Sequence, residues 1–398
     1  MQPLAIEPLE PRRLLSSVRV AVIGDYGAAS DAEAAVAKLV RSWHPAAVLT
    51  TGDNNYPAGG ADAIDANVGR DYHRYLAGYA GTFGEGSRDR RFFPSPGNHD
   101  WQPGSLQPYT DFFDLPVTSP TGGERYYDFA NGPVHFFAID SDEHEPDGVT
   151  ADSAQAAWLR QAMAAATEPF KVVYFHHPPY SSGPHGGSTD LRWPFKDWGA
   201  SLVLSGHDHT YERLAVDGLP YVVNGLGGQS EYEFAEGGTD PNSLVRFNAD
   251  FGAVRIDASS KRMTVRFVTA GRKTIDRFTV DAPVVPPTLT ASFASVPDSL
   301  TPGRKAAVLV RIENGGPSWA GRLLAEVTLG PSGSDVASAI ASKSVRLKLR
   351  AGGHQTLRLV FRPPDVSPGR YDLSAVLRLL TDTSAVVAAT TSPATVRG

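Results

Sequence analysis

The chain has 398 residues, 41% hydrophobic and 20% charged, with 39 Gly, 31 Pro and no Cys. That length suits two or three domains with a sizeable core, and the lack of cysteine excludes disulfides and thiolate metal sites, leaving His, Asp, Glu, Asn and Tyr for any metal. The net charge is −6, but Thr288 to Gly398 hold 13 Lys and Arg against 7 Asp and Glu, so residues 1–287 carry −12 and make a poor nucleic-acid surface.

Residues 1–16 are Pro-rich and lack the apolar run of an ordinary signal peptide. Ser17 to Gly24 reads as a strand, Ala28 to Ser42 as a helix capped by Ser30 or Asp31, and Ala46 to Thr51 as a second strand. This is a βαβ unit, so its two strands run parallel. Residues 57–95 read as a long loop with a helix near Ala66 to Ala80, and Phe92-Phe93-Pro94-Ser95-Pro96 leads into Gly97-Asn98-His99-Asp100. Tyr126 to Phe129 and Val134 to Ile139 make a hairpin around Asn131-Gly132. Ser153 to Ala166 is an Ala-rich helix, and Lys171 to Phe175 is a strand that ends at His176-His177. Leu191 to Trp198 is expected to be helical at its end. Ser201 to Leu204 is a strand ending at Gly206-His207-Asp208-His209, and four alternating runs between Leu219 and Val280 follow as antiparallel strands. No stretch of 18 apolar residues exists, so no transmembrane helix is expected. Asp281 to Pro287 is a Pro-rich linker. Beyond it, seven strand-like runs between Leu289 and Thr391, separated by Gly and Pro turns, fit a separate Ig-like β-sandwich. A turn near Asp335 interrupts them, and the one histidine there, His354, reads as a surface residue.

Five strand ends carry metal-suited side chains: Asp25; Asp53 with Tyr56; Asn98 with His99; His176 with His177; and His207 with His209. Alone, Asp53-Asn54 is an ordinary turn pair. Five such ends in one phase would meet at one edge of a sheet, where open α/β sheets place ligands. Asp53 can bridge two cations there, one oxygen for each, with Tyr56 adding a phenolate to one of them. His207 and His209 share a face of an extended segment, yet flank the cluster closely enough to serve one metal each. A phenolate with oxygen donors suits a ferric ion, and a mixed nitrogen and oxygen set suits a divalent Fe, Zn or Mn. Tyr72, Tyr75 and Tyr79, near helical spacing with His73, read as a packed face rather than a substrate platform.

The blocks Gly24-Asp25-x-Gly27, Gly52-Asp53-x-x-Tyr56, Gly97-Asn98-His99-Asp100, Phe175-His176 and Gly206-His207-x-His209 resemble those of calcineurin-like metallophosphoesterases over residues 18–280. The superfamily usually has a His two residues after the first Asp. Gly27 stands there, and Tyr56 follows the second Asp by three, which together resemble the purple acid phosphatases. The resemblance implies an α/β/β/α sandwich of two mixed sheets for a catalytic domain at 17–280. It implies Fe(III) on Asp25, Tyr56 and His209, a divalent Fe, Zn or Mn on Asn98, His176 and His207, and Asp53 bridging. It implies hydrolysis of small phosphate monoesters by a metal-bound hydroxide, with His99 contacting phosphate and His185 protonating the leaving group. His176 is preferred to His177 as the ligand because Pro178 and Tyr180 follow it as a Pro and an aromatic do in the family. His177 then belongs to the rim. Asp100 and Asp208 are read as carboxylates that orient imidazoles or cap turns, and Tyr211-Glu212-Arg213 as structural.

Two other readings stay open: a phosphodiesterase of the same superfamily, and a non-catalytic exported binding protein with a structural metal site. Leu9-Glu10-Pro11-Arg12-Arg13-Leu14-Leu15 resembles the LEPR-x-LL segment of some large exported bacterial proteins, which implies export; a plain disordered start is the alternative. The sandwich is read as an anchor to a cell surface or polymer, or as a spacer.

Overall fold

The computed structural model describes residues 17–283 and 288–397, apart from 317, 335 and 381. The N-terminal segment, most of the Pro-rich linker and the turn expected near Asp335 lie outside the described residues. The chain divides into two compact units between Pro283 and Val284.

The first unit holds two mixed sheets. One has the spatial order Thr274–Asp281, Arg262–Thr269, Gly252–Ala258, Val18–Ile23, Ala47–Thr50, Phe92–Pro94, and its last three strands are parallel. The other runs Ser243–Phe247, Tyr211–Val216, Leu219–Asn224, Leu202–Ser205, Phe170–Tyr174, Val134–Ala138, Tyr127–Asn131, with its four strands from Leu219 to Val134 in that order parallel. The parallel strands are apolar almost without a break, as strands covered on both faces must be: all of Ala47–Thr50 and of Leu202–Ser205 is buried.

Alternation decides which layer each residue joins. Val172 and Tyr174 share a core with Val20, Val22 and the helix Asp31–Ser42, whereas Val173 and Phe175 pack with Ala156, Leu159 and Met163 of the helix Ala154–Ala165. The two sheets therefore face each other, with a helix outside each, in an α/β/β/α sandwich. Both helices begin on a serine cap. Ser30 Oγ accepts the Glu33 N–H at 2.9 Å, and Ser153 Oγ accepts that of Ala156 at 3.1 Å.

The helix expected near Ala66 to Ala80 is shorter and irregular. One π turn (Asp65–Gly69), one α turn (Arg70–Tyr72) and one 3-10 turn (His73–Tyr75) end where Leu76 becomes extended. Its tyrosines do pack: Tyr72 and Tyr75 are buried, and Tyr72 stands edge-on to Tyr26 at 5.4 Å. Leu191 to Trp198 form turns and no helix: the Trp198 N–H donates to Pro194 O at 3.1 Å, but Gly199, with φ of 92°, ends the segment after that turn. Two short helices, Asn98–Trp101 and Gln107–Phe112, and the strand Ser243–Phe247 carried no periodic signal long enough to read.

The second unit has a three-stranded sheet (Leu289–Ser295, Ala306–Asn314, His354–Phe361) and a four-stranded one (Ser338–Leu349, Trp319–Pro331, Gly369–Leu379, Asp382–Val396), all antiparallel. Alternate residues Val308, Val310 and Ile312 of one sheet and Leu323, Ala325 and Val327 of the other form one buried core, which makes it a sandwich. His354 is exposed, as expected.

The hairpin Tyr127–Ala138 carries a pH-dependent contact. His135 Nε2 lies 2.6 Å from Asp128 Oδ2 and its Nδ1 lies 2.8 Å from Glu168 Oε2. Burial opposes charge on the ring, but the two carboxylates outweigh it and raise its pKa. Burial likewise opposes charge on Asp128 and Glu168, yet His135 draws both pKa values down. A raised imidazole stabilises fully below its unfolded value of about 6.5 and fades as pH rises through the folded value. The lowered carboxylates contribute above about 4 and fade as pH falls. Thermal melts should therefore show His135→Gln destabilised by about 1–2 kcal/mol near pH 5.5 and by clearly less at pH 8.5. An equal loss at both pH values would contradict the charged triad.

Candidate metal centre

Parallel strands deliver most of the candidate donors from their carboxyl ends. Val18–Ile23, Ala47–Thr50 and Phe92–Pro94 lead to Asp25, Asp53 and Asn98, while Phe170–Tyr174 and Leu202–Ser205 lead to His176 and His207. The donors thus meet between the edges of two sheets, not along one edge as expected. Asp25, Asp53 and His207 have φ of 56°, 52° and 69°, a region that non-glycine residues enter at a cost. Main-chain N–H groups hold the loops there, two of them bonding within a sheet and that of His207 reaching across to a side chain. The Asp25 N–H donates to Gly52 O at 3.1 Å, the Gly206 N–H to His176 O at 2.9 Å, and the His207 N–H to Asp25 Oδ2 at 3.0 Å. Gly52, with φ of 89°, passes so near His176 that a Cβ would stand 2.6 Å from the imidazole.

The donor atoms form two groups with one atom in common. Tyr56 Oη lies 3.3 Å from Asp25 Oδ1 and 3.2 Å from His209 Nε2. His176 Nε2 lies 2.9 Å from Asn98 Oδ1 and 3.1 Å from His207 Nδ1. Asp53 Oδ2 adjoins both groups, 2.8 Å from Tyr56 Oη and 3.4 Å from His176 Nε2. Asp53 Oδ1 accepts the His99 N–H at 2.9 Å, so a single oxygen faces both groups where one oxygen for each was expected. His207 and His209 do not share a face either. The left-handed turn at His207 sends the two rings to different groups.

Neighbours set the imidazoles. His176 Nδ1–H donates to Thr51 O at 2.9 Å, which leaves its Nε2 lone pair for the site. His209 Nδ1 bonds Ser230 Oγ at 2.7 Å; burial opposes charge on this ring, but Asp25, 3.3 Å from its Nε2, outweighs it and raises its pKa. Burial holds His176 at about 3 and pushes His207 well down, so both are neutral donors. Burial raises Asp53, and burial with the Asp25 and Asp53 charges raises Tyr56 well above its usual value. Two buried carboxylates and a phenol are thus crowded together, with no Lys or Arg bonded to them among the described residues. Positive charge between them relieves that crowding, and His, Asp, Asn and Tyr are the donors borderline and hard cations take. Asp25, Asp53 and His176 offer ligand atoms all within 4.8 Å of one another, as do His176, His177 and His207.

The remaining candidates line the rim. His99 Nδ1 meets Pro57 O, its ring lies 4.4 Å from that of Tyr56, and its Nε2 stands 3.9 Å from Asp53 Oδ2. The His185 ring lies 4.2 Å from that of His207. His177 is closer to the donors than a rim residue need be, with its ring 4.5 Å from that of His207 and its Nδ1 on Ser141 Oγ at 3.0 Å. Among the described residues Asp208 and Asp100 accept from main-chain and non-imidazole groups, which fits the capping alternative. Asp208 accepts from Ser181 Oγ and from the His185 N–H at 3.0 Å, which pins the loop that carries His185. Asp100 accepts from the Gly97 N–H at 2.9 Å and Asn54 Nδ2 at 2.8 Å, and burial, with Asp53 nearby, pushes it up to about 7.

Sequence reasoning missed Ser230 and Tyr232. Tyr232 stacks on His209 at 4.0 Å with an 8° interplanar angle. Both lie in a Gly-rich loop with no local pattern to mark them. Beside the second donor group opens a cavity of about 370 Å³, lined by Asn98, His207, His177, Ser141, Asp142 and Asp190 among others.

Residues 18–211 match the family model for calcineurin-like phosphoesterases. A solved structure described as GAP50, the anchor in the inner membrane complex of Plasmodium, covers 67% of this chain and 89% of its own with a TM-score of 0.50 at 20% identity, which is a likeness of fold. The fold is that of the calcineurin-like metallophosphoesterases, which the chain is similar to over residues 18–211; that superfamily of phosphoester hydrolases typically binds two metals, and the His and Asp groups here are candidates for holding them. Human tartrate-resistant acid phosphatase type 5 is 30% identical over 140 residues, 33% of this chain and 43% of that protein; the mouse protein is 25% identical over 298 residues, 65% of this chain and 89% of that one. The match thus spans under half the length of the human relative. The chain is thus similar, at a distance, to these acid phosphatases.

Proposed function

We propose that the protein is a dinuclear-metal phosphatase that cleaves small phosphate monoesters; the relatives it is similar to are named acid phosphatases. The observation that carries this reading is the shared Asp53 Oδ2 between a phenol-containing donor group and a histidine-rich one. Asp25, Tyr56 and His209 hold a ferric ion in this reading; Asn98, His176 and His207 hold a divalent Fe, Zn or Mn; Asp53 bridges. Two cations bound there would lower the pKa of a coordinated water and neutralise charge on the phosphoryl oxygens.

The chain's own groups do the rest. His99, fixed by Pro57 O and Tyr56, offers Nε2 to a phosphate oxygen. His185, held over His207 by the Asp208 cap, is placed to give a proton to the leaving oxygen. The cavity of about 370 Å³ accepts a compact leaving group rather than a long polymer. The N-terminal LEPR-x-LL-like segment supports export, and the sandwich is proposed to contact a surface or polymer.

Metal analysis with a visible spectrum tests the assignment. Two metals per chain, one of them iron, and a violet phenolate charge-transfer band lost in Tyr56→Phe are expected. A colourless protein active with two divalent ions would remove the ferric ion and keep the enzyme. Faster turnover of bis-p-nitrophenyl phosphate than of p-nitrophenyl phosphate would favour a phosphodiesterase, and a metal-loaded but inactive protein would favour a binding role.

A further inference from the structure

We propose a second anion site on the first unit, away from the donor cluster, that takes a compact polyvalent phosphate anion. A cavity of about 570 Å³ is lined by Lys38 and Arg41 from the last turns of the helix Asp31–Ser42, Arg74 and Tyr75 from the 3-10 turn, Arg91 just before the strand Phe92–Pro94, and Arg272 from a hairpin. No carboxylate lines it. His44 and Arg91 continue it into a neighbouring cavity of about 760 Å³, where Arg19 is paired with the lining carboxylate Asp257 at 2.8 Å and Arg262 with Asp281 at 2.7 Å, so the proposed site is the first cavity alone. Most of these residues lie toward the amino ends of the parallel strands, whereas the donors Asp25, Asp53 and Asn98 follow the carboxyl ends of the same strands.

The charge there is unusual for its setting. Residues 1–287 carry −12, yet five cationic side chains share one concave surface. Lys38, Arg74 and Arg272 have no carboxylate partner among the described residues, and the Arg41 contact with Asp71 is 4.0 Å long. Arg91 is fixed without being neutralised. Its Nη2 donates to Pro45 O at 2.6 Å and its guanidinium stands 5.0 Å over the Tyr75 ring. Grouped like charges of this kind are held against their own repulsion, and an oxyanion relieves it. Guanidinium forks match phosphate oxygens two at a time, which gives phosphate preference over a point anion. Several cations around one cavity call for several charges on one ligand. A long nucleic acid is disfavoured by the −12 background and by the lack of an open stacking face, because Tyr75 is only 4% exposed.

Calorimetric titration of tripolyphosphate into the full chain tests this, with wild type, Arg74→Gln/Arg272→Gln and His207→Ala compared at low and moderate salt. The expected result is binding that weakens at least about tenfold in the arginine variant and with added salt, and that persists in His207→Ala. p-Nitrophenyl phosphate turnover by the arginine variant, measured without tripolyphosphate, should stay within about twofold of wild type, since neither residue touches the donors. No binding, binding as tight for sulfate as for tripolyphosphate, or binding lost in His207→Ala and kept in the arginine variant would each overturn the proposal. Turnover by wild type with no tripolyphosphate binding separates its failure from that of the phosphatase reading.

Discussion

Asp53→Asn is expected to lower kcat/KM for p-nitrophenyl phosphate by at least about 10³-fold, with metal content falling from two ions to one or none. The reason is local. Asp53 Oδ1 accepts the His99 N–H at 2.9 Å, so the amide of an asparagine keeps its oxygen on that side and turns its NH₂ toward the two donor groups. The shared acceptor between Tyr56 and His176 becomes a donor with no charge. Folding should survive, because Asp53 is buried with a raised pKa and a neutral isostere removes a desolvation cost. Thermal melting of the metal-free protein should therefore be unchanged or higher. Activity within tenfold of wild type would remove Asp53 as a bridge.

Gly27→Ala is expected to cost about 3 kcal/mol and to lose activity, together with the violet colour that the proposed ferric assignment predicts. A Cβ at residue 27 would lie 1.7 Å from the Asn54 carbonyl oxygen, and both belong to backbone that cannot step aside alone. The same turn carries the next contact, in which the Tyr56 N–H donates to Gly27 O at 2.7 Å. Displacing residues 54–56 therefore moves Tyr56 away from Asp25 and His209. Gly237→Ala, whose Cβ would meet nothing within 4 Å, is the control and should change stability by no more than about 0.5 kcal/mol. Chemical denaturation of both variants decides it. This packing also gives a physical link between two features of the sequence. A histidine at 27 and the turn that places Tyr56 cannot occupy the same space, so the small residue and the tyrosine belong together.

Much of the candidate site was legible because most of its side chains stand at or just after a strand end marked by local punctuation. An apolar run that stops at Gly24-Asp25, Gly52-Asp53 or Gly206-His207 says by itself that a polar side chain leaves a strand end. The βαβ order says that several such ends share a direction. The short helix Asn98–Trp101 and the irregular turns from Asp65 to Tyr75 were not legible, since a single turn leaves no period to detect and bends to whatever packs on it. Asp208 was legible as a capping residue, but its partner was not. The loop it pins, carrying Ser181 and His185, lies more than twenty residues earlier in the chain.

By itself the sequence determined the candidate donor types, their order and the strand runs of the β-sandwich, because strand patterning and glycine punctuation are local properties of the chain; the two mixed sheets were implied only by the resemblance to a family. Only the tertiary structure decided how the donors divide. It showed that they come from two sheets, that His207 and His209 part at a left-handed residue, and that one oxygen of Asp53 serves both groups. It also placed Ser230 and Tyr232 against His209 and collected Lys38, Arg41, Arg74, Arg91 and Arg272 into one cavity. Those are distances between residues far apart in the chain, and they are set by the packing of one sheet on another rather than by any neighbouring residue.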